Sequence, residues 1–361
     1  MERSTMLSSE RNQVRPTVTT SGNKEDSVSR SIECEKALAA WNDMFKNRQA
    51  EFGPLDTVPF RQIRHLGRGG GGVVDETKID GIAVAWKRIS TRARQLTKQE
   101  MNEVQILSQI SKRRHRHIVE LIGSYVHRHK GGIELGMLIW PVADCDLASF
   151  LQDLDYLGDS FKQTTTSTIS LDDLGSVMET LYPLVMGNQL PNKKDFSIKF
   201  REDLYYESLR FLTQCFGCIG EAVAYLHCHA IRHKDLKPAQ ILLSTQGLWI
   251  TDFGWSKDFS GSSNSVTNGG HEITLKYHAP ERAANQYCGK SEDIFALGCI
   301  YLEMGYRFAR IDPWLVTYSL PWDKIPFYAS LEHIENWMAP FSKAEDLRLP
   351  ALRLLILKIV I

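Results

Sequence analysis

The chain has 361 residues, 43% of them hydrophobic and 24% charged, so it can bury a large core and does not need disulfides to fold. Its 43 Lys and Arg residues balance 43 Asp and Glu residues, which argues against a partner bound by bulk charge, whether nucleic acid or membrane. The seven cysteines are an odd and scattered set, and no apolar run approaches the roughly 18 residues that span a bilayer. We therefore expect a cytoplasmic protein, with the nucleus as the alternative compartment, that binds neither nucleic acid nor membrane.

The first 57 residues divide into two parts. Residues 1–31 contain eleven Ser or Thr and no aromatic residue, a composition that predicts a disordered arm. From about 32 to 50, apolar residues that include Trp41 and Phe45 recur at helical spacing until Gly53 and Pro54. This pattern predicts one amphipathic helix.

From residue 58 onward the pattern predicts an α+β fold of two lobes. Short β-rich runs with glycine turns surround one helical stripe, which predicts a small antiparallel sheet with a single helix over about 58–140. A connection at 140–146 leads to a mainly helical region, 147–361. Within it, 156–200 is interpreted as a partly helical surface insertion, whose role is either docking or none.

A glycine-rich segment lies at the start of the predicted sheet. Gly67, Gly69, Gly72 and Val74 satisfy the spacing G-x-G-x-x-G-x-V, with Gly70 between them. Glycines let backbone N–H groups approach phosphate oxygens closely, but four successive glycines also suit a flexible hairpin turn. By itself the motif leaves both interpretations open.

Lys87 follows on a short apolar strand, Val84-Ala85-Trp86-Lys87, where a charge needs an acidic partner or a phosphate. The next helix offers Glu100 and Glu103. Glu103 lies beside the apolar stripe, whereas Glu100 suits a solvated face, so we predict Glu103 as the partner of Lys87.

Two short patterns suggest other chemistry but have simpler explanations. Cys215 and Cys218 form a C-x-x-C, yet they lie in a helical stripe without a second pair, which disfavours a zinc site. The basic run 112–117 fits a short loop between helix and strand better than a nucleic-acid site.

Three later segments are more specific. His233-Lys234-Asp235-Leu236-Lys237 is followed by Gln240, by Asp252-Phe253-Gly254, and by Ala279-Pro280-Glu281. With the glycine run and Lys87 they stand in the order of the eukaryotic protein kinase signatures, and the chain resembles that family from about Phe60 onward. With Lys237 and Thr274, the chain resembles the Ser/Thr-specific branch of that family more than the Tyr-specific branch.

The resemblance implies a bilobal kinase fold and a role for each matching residue. Asp235 would accept the proton of the substrate hydroxyl, and Lys237 would neutralise charge on the transferred phosphoryl group. Lys87, oriented by Glu103, would hold the α- and β-phosphates of ATP, and Asp252 with Gln240 would bind Mg²⁺. The expected ATP-binding residues are Leu66, Gly67, Gly69, Gly70, Gly72, Val74, Ala85, Lys87, Val142 and Leu242.

The resemblance also implies an activity and partners. The expected reaction is ATP- and Mg²⁺-dependent transfer of the γ-phosphate to Ser or Thr hydroxyls of protein substrates. An upstream kinase would act on the activation segment, 255–273, and Lys234 would pair with the added phosphate.

Two departures from the family pattern qualify this expectation. Gln240 stands where the family has asparagine, and its extra methylene places the metal-ligating amide differently, so transfer is expected to be weakened. The chain ends within an apolar helix, 354–361, so we expect a truncated C-lobe in which Arg348 or Arg353 replaces the usual partner of Glu281. The alternatives are a pseudokinase that binds nucleotide or acts as a scaffold, and a small-molecule kinase of similar fold.

Overall fold

The computed structural model describes residues 22–69, 72–163, 175–187, 197–258, 275–309, 325–343 and 348–360. Two lobes enclose a cleft: the N-terminal lobe is built on a β-sheet, and the C-terminal lobe is mainly helical. The predicted bilobal kinase-like α+β fold is confirmed. None of the described helices is long and apolar enough to cross a membrane.

The N-terminal lobe is a six-stranded sheet with a helix on each face. Its elements are α1 (Gly22–Phe45), β1 (Gln49–Phe52), β2 (Arg64–Gly69), β3 (Gly72–Ile79), β4 (Ile82–Thr91), α2 (Lys98–Ser111), β5 (Glu120–His129) and β6 (Gly132–Trp140). The strand order is β1-β5-β6-β4-β3-β2, and only β1 pairs in parallel. Asp80 and Gly81 both have positive φ, 48° and 79°, which suits the two-residue turn between β3 and β4.

The N-terminal segment differs from the sequence prediction. Helix α1 includes residues 22–31, which were predicted to be disordered, whereas residues 1–21 lie outside the described part of the chain. Because packing of the later turns against the sheet offsets the cost of helix nucleation, polar residues can extend the helix at little further cost. Residues 49 and 50, predicted as the helix end, instead belong to β1, which pairs with β5.

Helix α2 begins at a capping box. The Thr97 side chain accepts the Glu100 N–H at 3.2 Å, and Glu100 Oε2 accepts the Thr97 N–H at 2.6 Å. Beyond the cap, apolar residues such as Val104 and Leu107 are buried against the sheet. The cap and the apolar stripe together fix where Glu103 lies.

The C-terminal lobe is formed by helices with short strands at its upper edge. Its elements are β7 (Cys145–Asp146), α3 (Leu147–Gln163), α4 (Gly175–Met186), α5 (Ile198–Cys228), β8 (Ile231–Arg232), β9 (Ile241–Ser244), β10 (Gly247–Ile250), β11 (Lys257–Asp258), α6 (Pro280–Ala283), α7 (Ser291–Ala309), α8 (Ile334–Lys343) and α9 (Arg348–Val360). The core of this lobe lies around α7, where Cys299, Ile300 and Met304 are fully buried.

The segment predicted as a surface insertion, 156–200, is integrated into this lobe where it is described. Helix α3 continues to Gln163, and α4 packs between α3 and α5 with Val177 and Leu181 fully buried. The Ser176 and Thr180 hydroxyls both donate to Asp153 of α3. The surface interpretation is therefore wrong for α4, because two apolar turns of this helix join the main core.

Helix α9 is packed against α7. An added Cβ at Gly298 would overlap Ile359 and Val360, so glycine allows the close approach of these two helices. Arg353 forms an ion pair with Glu335 of α8, and Glu281 accepts a hydrogen bond from Ser291 Oγ at 2.8 Å. Arg353 is therefore not the replacement partner that we expected for Glu281; the Arg348 side chain lies outside the described residues.

Candidate active site

The cleft between the lobes contains a cavity of about 1010 Å³. Strands β2, β3 and β4 form its roof, and the segments around β7 and β9 form its floor. Among its lining residues are most of those predicted to act on a nucleotide: Leu66, Gly67, Val74, Ala85, Lys87, Glu103, Asp235, Lys237, Gln240, Leu242 and Asp252.

A buried three-residue network spans the two lobes at the back of the cavity. Lys87 Nζ lies 2.8 and 2.7 Å from the two carboxylate oxygens of Glu103, and 2.9 Å from Oδ1 of Asp252. Lys87 is 4% exposed and Glu103 is 2% exposed. The lysine comes from β4, Glu103 from α2 and Asp252 from the opposite lobe, so this contact joins the two lobes.

The charges of this network are set by competition between burial and attraction. Burial alone would lower the pKa of Lys87, but the Glu103 and Asp252 carboxylates raise it above its usual value. Burial opposes ionisation of Asp252, yet the Lys87 ammonium holds the pKa of Asp252 below its usual range. Lys87 and Asp252 are therefore both charged at neutral pH, as phosphate binding and metal binding require.

Glu100, the alternative partner, has a different role. It completes the capping box of α2, while Asn102 on the same helix donates to Gly254 O at 3.4 Å and to Ser256 O at 2.8 Å. Helix α2 thus contacts the segment after Asp252 as well as Lys87. Sequence reasoning missed Asn102, and its only signal was its position next to Glu103.

The second cluster lies across the cleft in the loop between β8 and β9. Lys237 Nζ lies 2.7 Å from Asp235 Oδ2, and Asp235 is 9% exposed. His233 is fully buried, with its Nε2 2.9 Å from Thr251 O and its ring packed on Phe253. The loop thus presents Asp235 and Lys237 to the cavity while His233 anchors it to the core.

Asp293 of α7, which sequence reasoning missed, holds the backbone of this loop in place by hydrogen bonds. Its carboxylate accepts the backbone N–H groups of His233 at 2.9 Å and Lys234 at 2.7 Å, and it contacts His227 Nε2 at 2.8 Å. Burial opposes ionisation, but the hydrogen bond with His227 and the nearby His233 lower the pKa of Asp293. The signal in the sequence was a carboxylate at the start of the apolar helix α7.

Gln240 lies between the two clusters. Its Nε2 donates to Asp252 Oδ2 at 3.0 Å and to Asp235 Oδ2 at 3.5 Å. The glutamine side chain is therefore long enough to bridge both carboxylates, and its amide oxygen is a chemically suitable ligand for Mg²⁺.

Several predicted nucleotide contacts are placed less directly. Gly69 and Gly72 face each other where β2 and β3 meet, and Gly70 lies outside the described residues. Val142 is not among the lining residues described, although its neighbours Pro141 and Ala143 are.

Only part of the predicted activation segment can be placed, because residues 259–274 lie outside the described ranges. Lys234 is half-buried and adopts φ 69°. Burial lowers the pKa of Lys234, opposed by Glu292 and assisted by the nearby cations Arg282, Arg232 and Lys257. The predicted phosphate-pairing lysine therefore lies in a basic environment.

The C-x-x-C pair does not form a reactive site. Cys215 is buried on the inner face of α5, and burial raises the pKa of its thiol well above its usual value. Cys215 and Cys218 are both free thiols within the helix.

Comparison with known proteins agrees with this geometry. A family model for the protein kinase domain matches residues 174–312, a range that includes Asp235, Gln240, Asp252 and Glu281. Over this range the chain is similar to protein kinases, which supports the eukaryotic protein kinase family. The matched range begins one residue before α4, so Lys87 and Glu103 of the N-terminal lobe lie before it.

Individual kinases resemble parts of the chain. The chain is 27% identical over 286 residues, 76% of its length, to a G-type lectin S-receptor-like serine/threonine-protein kinase of Arabidopsis thaliana. It is 34% identical over 142 residues, 38% of the chain, to the cGMP-dependent protein kinase isozyme 1 of Drosophila melanogaster. A cyclin-dependent kinase 4 homolog of Caenorhabditis elegans is 40% identical over 90 residues, 25% of the chain. The matches span 28%, 18% and 21% of these three relatives, respectively.

Proposed function

We propose that this kinase transfers the γ-phosphate of ATP to Ser or Thr hydroxyls of protein substrates with the help of Mg²⁺. The observation that carries the proposal is the Lys87 ammonium, held between Glu103 and Asp252 across the cleft from Asp235 and Lys237. Phosphoryl transfer needs positioned charges rather than a covalent enzyme intermediate, and this cleft supplies both signs of charge around one cavity.

The oxygen atoms near Asp252 fit a hard cation. The Asp252 carboxylate is ionised at neutral pH and lines the cavity together with Gln240. These two residues would hold Mg²⁺, which neutralises phosphate charge when it is bound. Mg²⁺ is commonly bound by one or two protein oxygens together with substrate phosphates, so a small protein donor set is sufficient.

The protein side chains would divide the remaining work. Lys87 would bind the α- and β-phosphates, oriented by Glu103, and strands β2 and β3 would cover the phosphates with their glycines. Asp235 would orient the acceptor hydroxyl and take its proton. Lys237 would stabilise the negative charge that develops on the transferred group. Val74, Ala85 and Leu242 would enclose the adenine.

The decisive experiment compares the purified wild-type chain with Asp235→Asn. Both are incubated with radiolabelled ATP, Mg²⁺ and a mixed protein substrate, and ATP binding is followed by the shift in Tm. Loss of an aligned general base typically costs about 10²–10⁴-fold, so Asp235→Asn should lose at least about 100-fold in transfer and keep its Tm shift. Equal labelling by both proteins would contradict the proposal.

A pseudokinase is the second candidate, and one observation favours it. The Gln240 amide N–H groups face Asp252 and Asp235, the carboxylates on which metal binding and proton transfer depend. In that case wild type would show an ATP-dependent Tm shift without transfer. Gln240→Asn shortens the amide by one methylene and should then raise transfer; an unchanged rate would show that Gln240 does not limit turnover.

We also propose that phosphorylation of the activation segment by an upstream kinase regulates transfer. The half-buried Lys234, close to Arg282 and Lys257, supports this because a phosphate needs cations at its docking site. Lys differs from Arg in lacking a bidentate fork, so the pairing would be weaker than one made by arginine. Phosphatase treatment followed by a transfer assay tests this, and unchanged activity after complete dephosphorylation would contradict it.

A further inference from the structure

Helix α1 is attached to the N-terminal lobe by an aromatic side chain that packs against a glycine on the face of the sheet. An added Cβ at Gly123 would overlap the Trp41 indole, so glycine at this position lets α1 approach β5 closely. Trp41 is fully buried, its ring centroid lies 6.0 Å from that of Phe60, and its Nε1 donates to Asn47 O at 2.8 Å. Helix α1 is therefore a fixed part of the lobe.

Two helical turns before Trp41, α1 meets the loop that follows α2. The Arg114 guanidinium lies between two carboxylates: Nη1 is 2.9 Å from Glu35 Oε1, and Nε is 3.1 Å from Glu120 Oε2. Cys34 Sγ donates to the same Glu120 oxygen at 3.4 Å. Three elements, α1, the loop and β5, thus meet at one arginine.

Arg114 is held in a backbone conformation that arginine rarely adopts. Its φ is 52°, in the left-handed region, and such conformations persist only where surrounding contacts impose them. The Arg114 N–H donates to Ile110 O at 3.1 Å, so this residue also closes the last turn of α2. The contacts of its side chain therefore act directly on the end of that helix.

The end of α2 is connected to the catalytic network by the helix itself. Ser111 Oγ accepts the Leu121 N–H at 2.9 Å, which fixes the last residue of α2 to β5. Two turns earlier on α2, Glu103 Oε2 lies 2.7 Å from Lys87 Nζ. A packed helix moves largely as a unit, so a shift of its end would displace Glu103 from Lys87.

We propose that Arg114 is a positioning residue, through which α1 holds α2 where Glu103 reaches Lys87. Its catalytic consequence rests on the function proposed above. The neighbouring Arg116 pairs with Glu221 of α5 at 2.6 Å. The basic run 112–117 therefore contacts the N-terminal lobe through Arg114 and the C-terminal lobe through Arg116. Arg114 and Arg116 of this run thus form ion pairs within the chain.

The test uses the full chain and two readouts: amide hydrogen exchange across α2, and kcat against KM for ATP. Arg114→Ala should raise exchange over residues 103–111 by about fivefold or more, because local opening becomes easier. It should lower kcat by about tenfold with little change in KM, since misplacing a catalytic group by about 1 Å can cost 10²-fold. Arg114→Lys, which keeps one charge, should fall between. Arg113→Ala removes an exposed arginine from the same loop and should change neither readout.

Unchanged exchange in α2 of Arg114→Ala would overturn the proposal whatever happens to kcat, and equal effects in Arg113→Ala would overturn it too. If the wild type transfers no phosphate, the proposed function fails and exchange alone decides: faster exchange in Arg114→Ala supports the positioning role, and unchanged exchange rejects it. If Arg114→Ala does not fold, Arg114→Lys replaces it in the same comparison.

Discussion

The two faces of the N-lobe sheet are built from different kinds of residue and different parts of the chain. On the cleft side, aliphatic residues such as Leu107 and Met137 belong to a core that continues into the C-lobe. On the outer side, Trp41, Phe60 and Tyr125 form a separate aromatic cluster with α1. The same strands supply both faces, because successive side chains alternate across the sheet.

This difference shows which features a sequence makes recognisable. The cleft face carries Lys87, which meets the charged groups of the C-lobe across the cleft; Lys87, Asp235 and Asp252 stand in short motifs that can be found in the sequence. The outer face is held by shape: a glycine opposite a tryptophan has no chemical signature until the structure brings Gly123 and Trp41 together. We therefore expect the two faces to respond differently to substitution.

The largest effect is expected on the outer face. Trp41→Ala removes a fully buried side chain and leaves a cavity between α1 and the sheet, which should cost about 3–5 kcal/mol of unfolding free energy. Denaturant unfolding of wild type and Trp41→Ala measures this loss of unfolding free energy. A loss below about 1 kcal/mol would show that α1 does not contribute to the stability of the lobe.

Asp293, which holds the loop that carries Asp235, should differ from the aromatic cluster in how its contribution to stability depends on pH. Asp293 has a lowered pKa, so it stabilises the fold above the ordinary Asp range near about 3.9, and this contribution is lost as pH falls through its folded pKa. Asp293→Asn should lose about 1.5–3 kcal/mol at pH 7, because hydrogen bonds to a charged group are removed.

The control for this prediction is the pH series itself. The stability difference between wild type and Asp293→Asn should shrink below about pH 4, whereas that between wild type and Trp41→Ala should stay constant. A constant Asp293→Asn difference down to pH 2 would contradict the assignment of an ionised, stabilising carboxylate.

Gly123→Ala examines the fit of the outer cluster more finely. The new methyl group would overlap the Trp41 ring, and overpacking of this kind costs about 1–3 kcal/mol. In the double variant with Trp41→Ala the clash is relieved. The double variant should therefore lose less unfolding free energy than the two single variants together. Additive losses would show that the two residues do not share one packing site.

The smallest effect is expected at the start of α2. Thr97→Ala removes the side-chain half of the capping box and should cost about 1 kcal/mol. Thermal unfolding of Thr97→Ala beside Thr97→Ser, which keeps the hydroxyl, measures it. Equal Tm values would mean that the cap does not stabilise α2.

The residues that sequence reasoning missed or misplaced share one physical property. Asp293 acts on backbone N–H groups far away in sequence, and the burial of α4 depends on packing against α3 and α5. The helical state of residues 22–31 depends on the docking of later turns of α1. Such long-range contacts leave little local pattern, whereas the kinase family and its bilobal fold were correctly identified from the order of short motifs.

We propose that the buried network around Lys87 positions ATP for phosphoryl transfer. Two glutamates three residues apart on α2 provide a matched test, because Glu103 contacts Lys87 and Glu100 caps the helix. We predict that Glu103→Gln lowers kcat for phosphate transfer by about 10- to 100-fold, since the position of Lys87 is then lost, whereas Glu100→Gln stays within about twofold. Equal kcat values for the two variants would contradict this role of the Lys87 network.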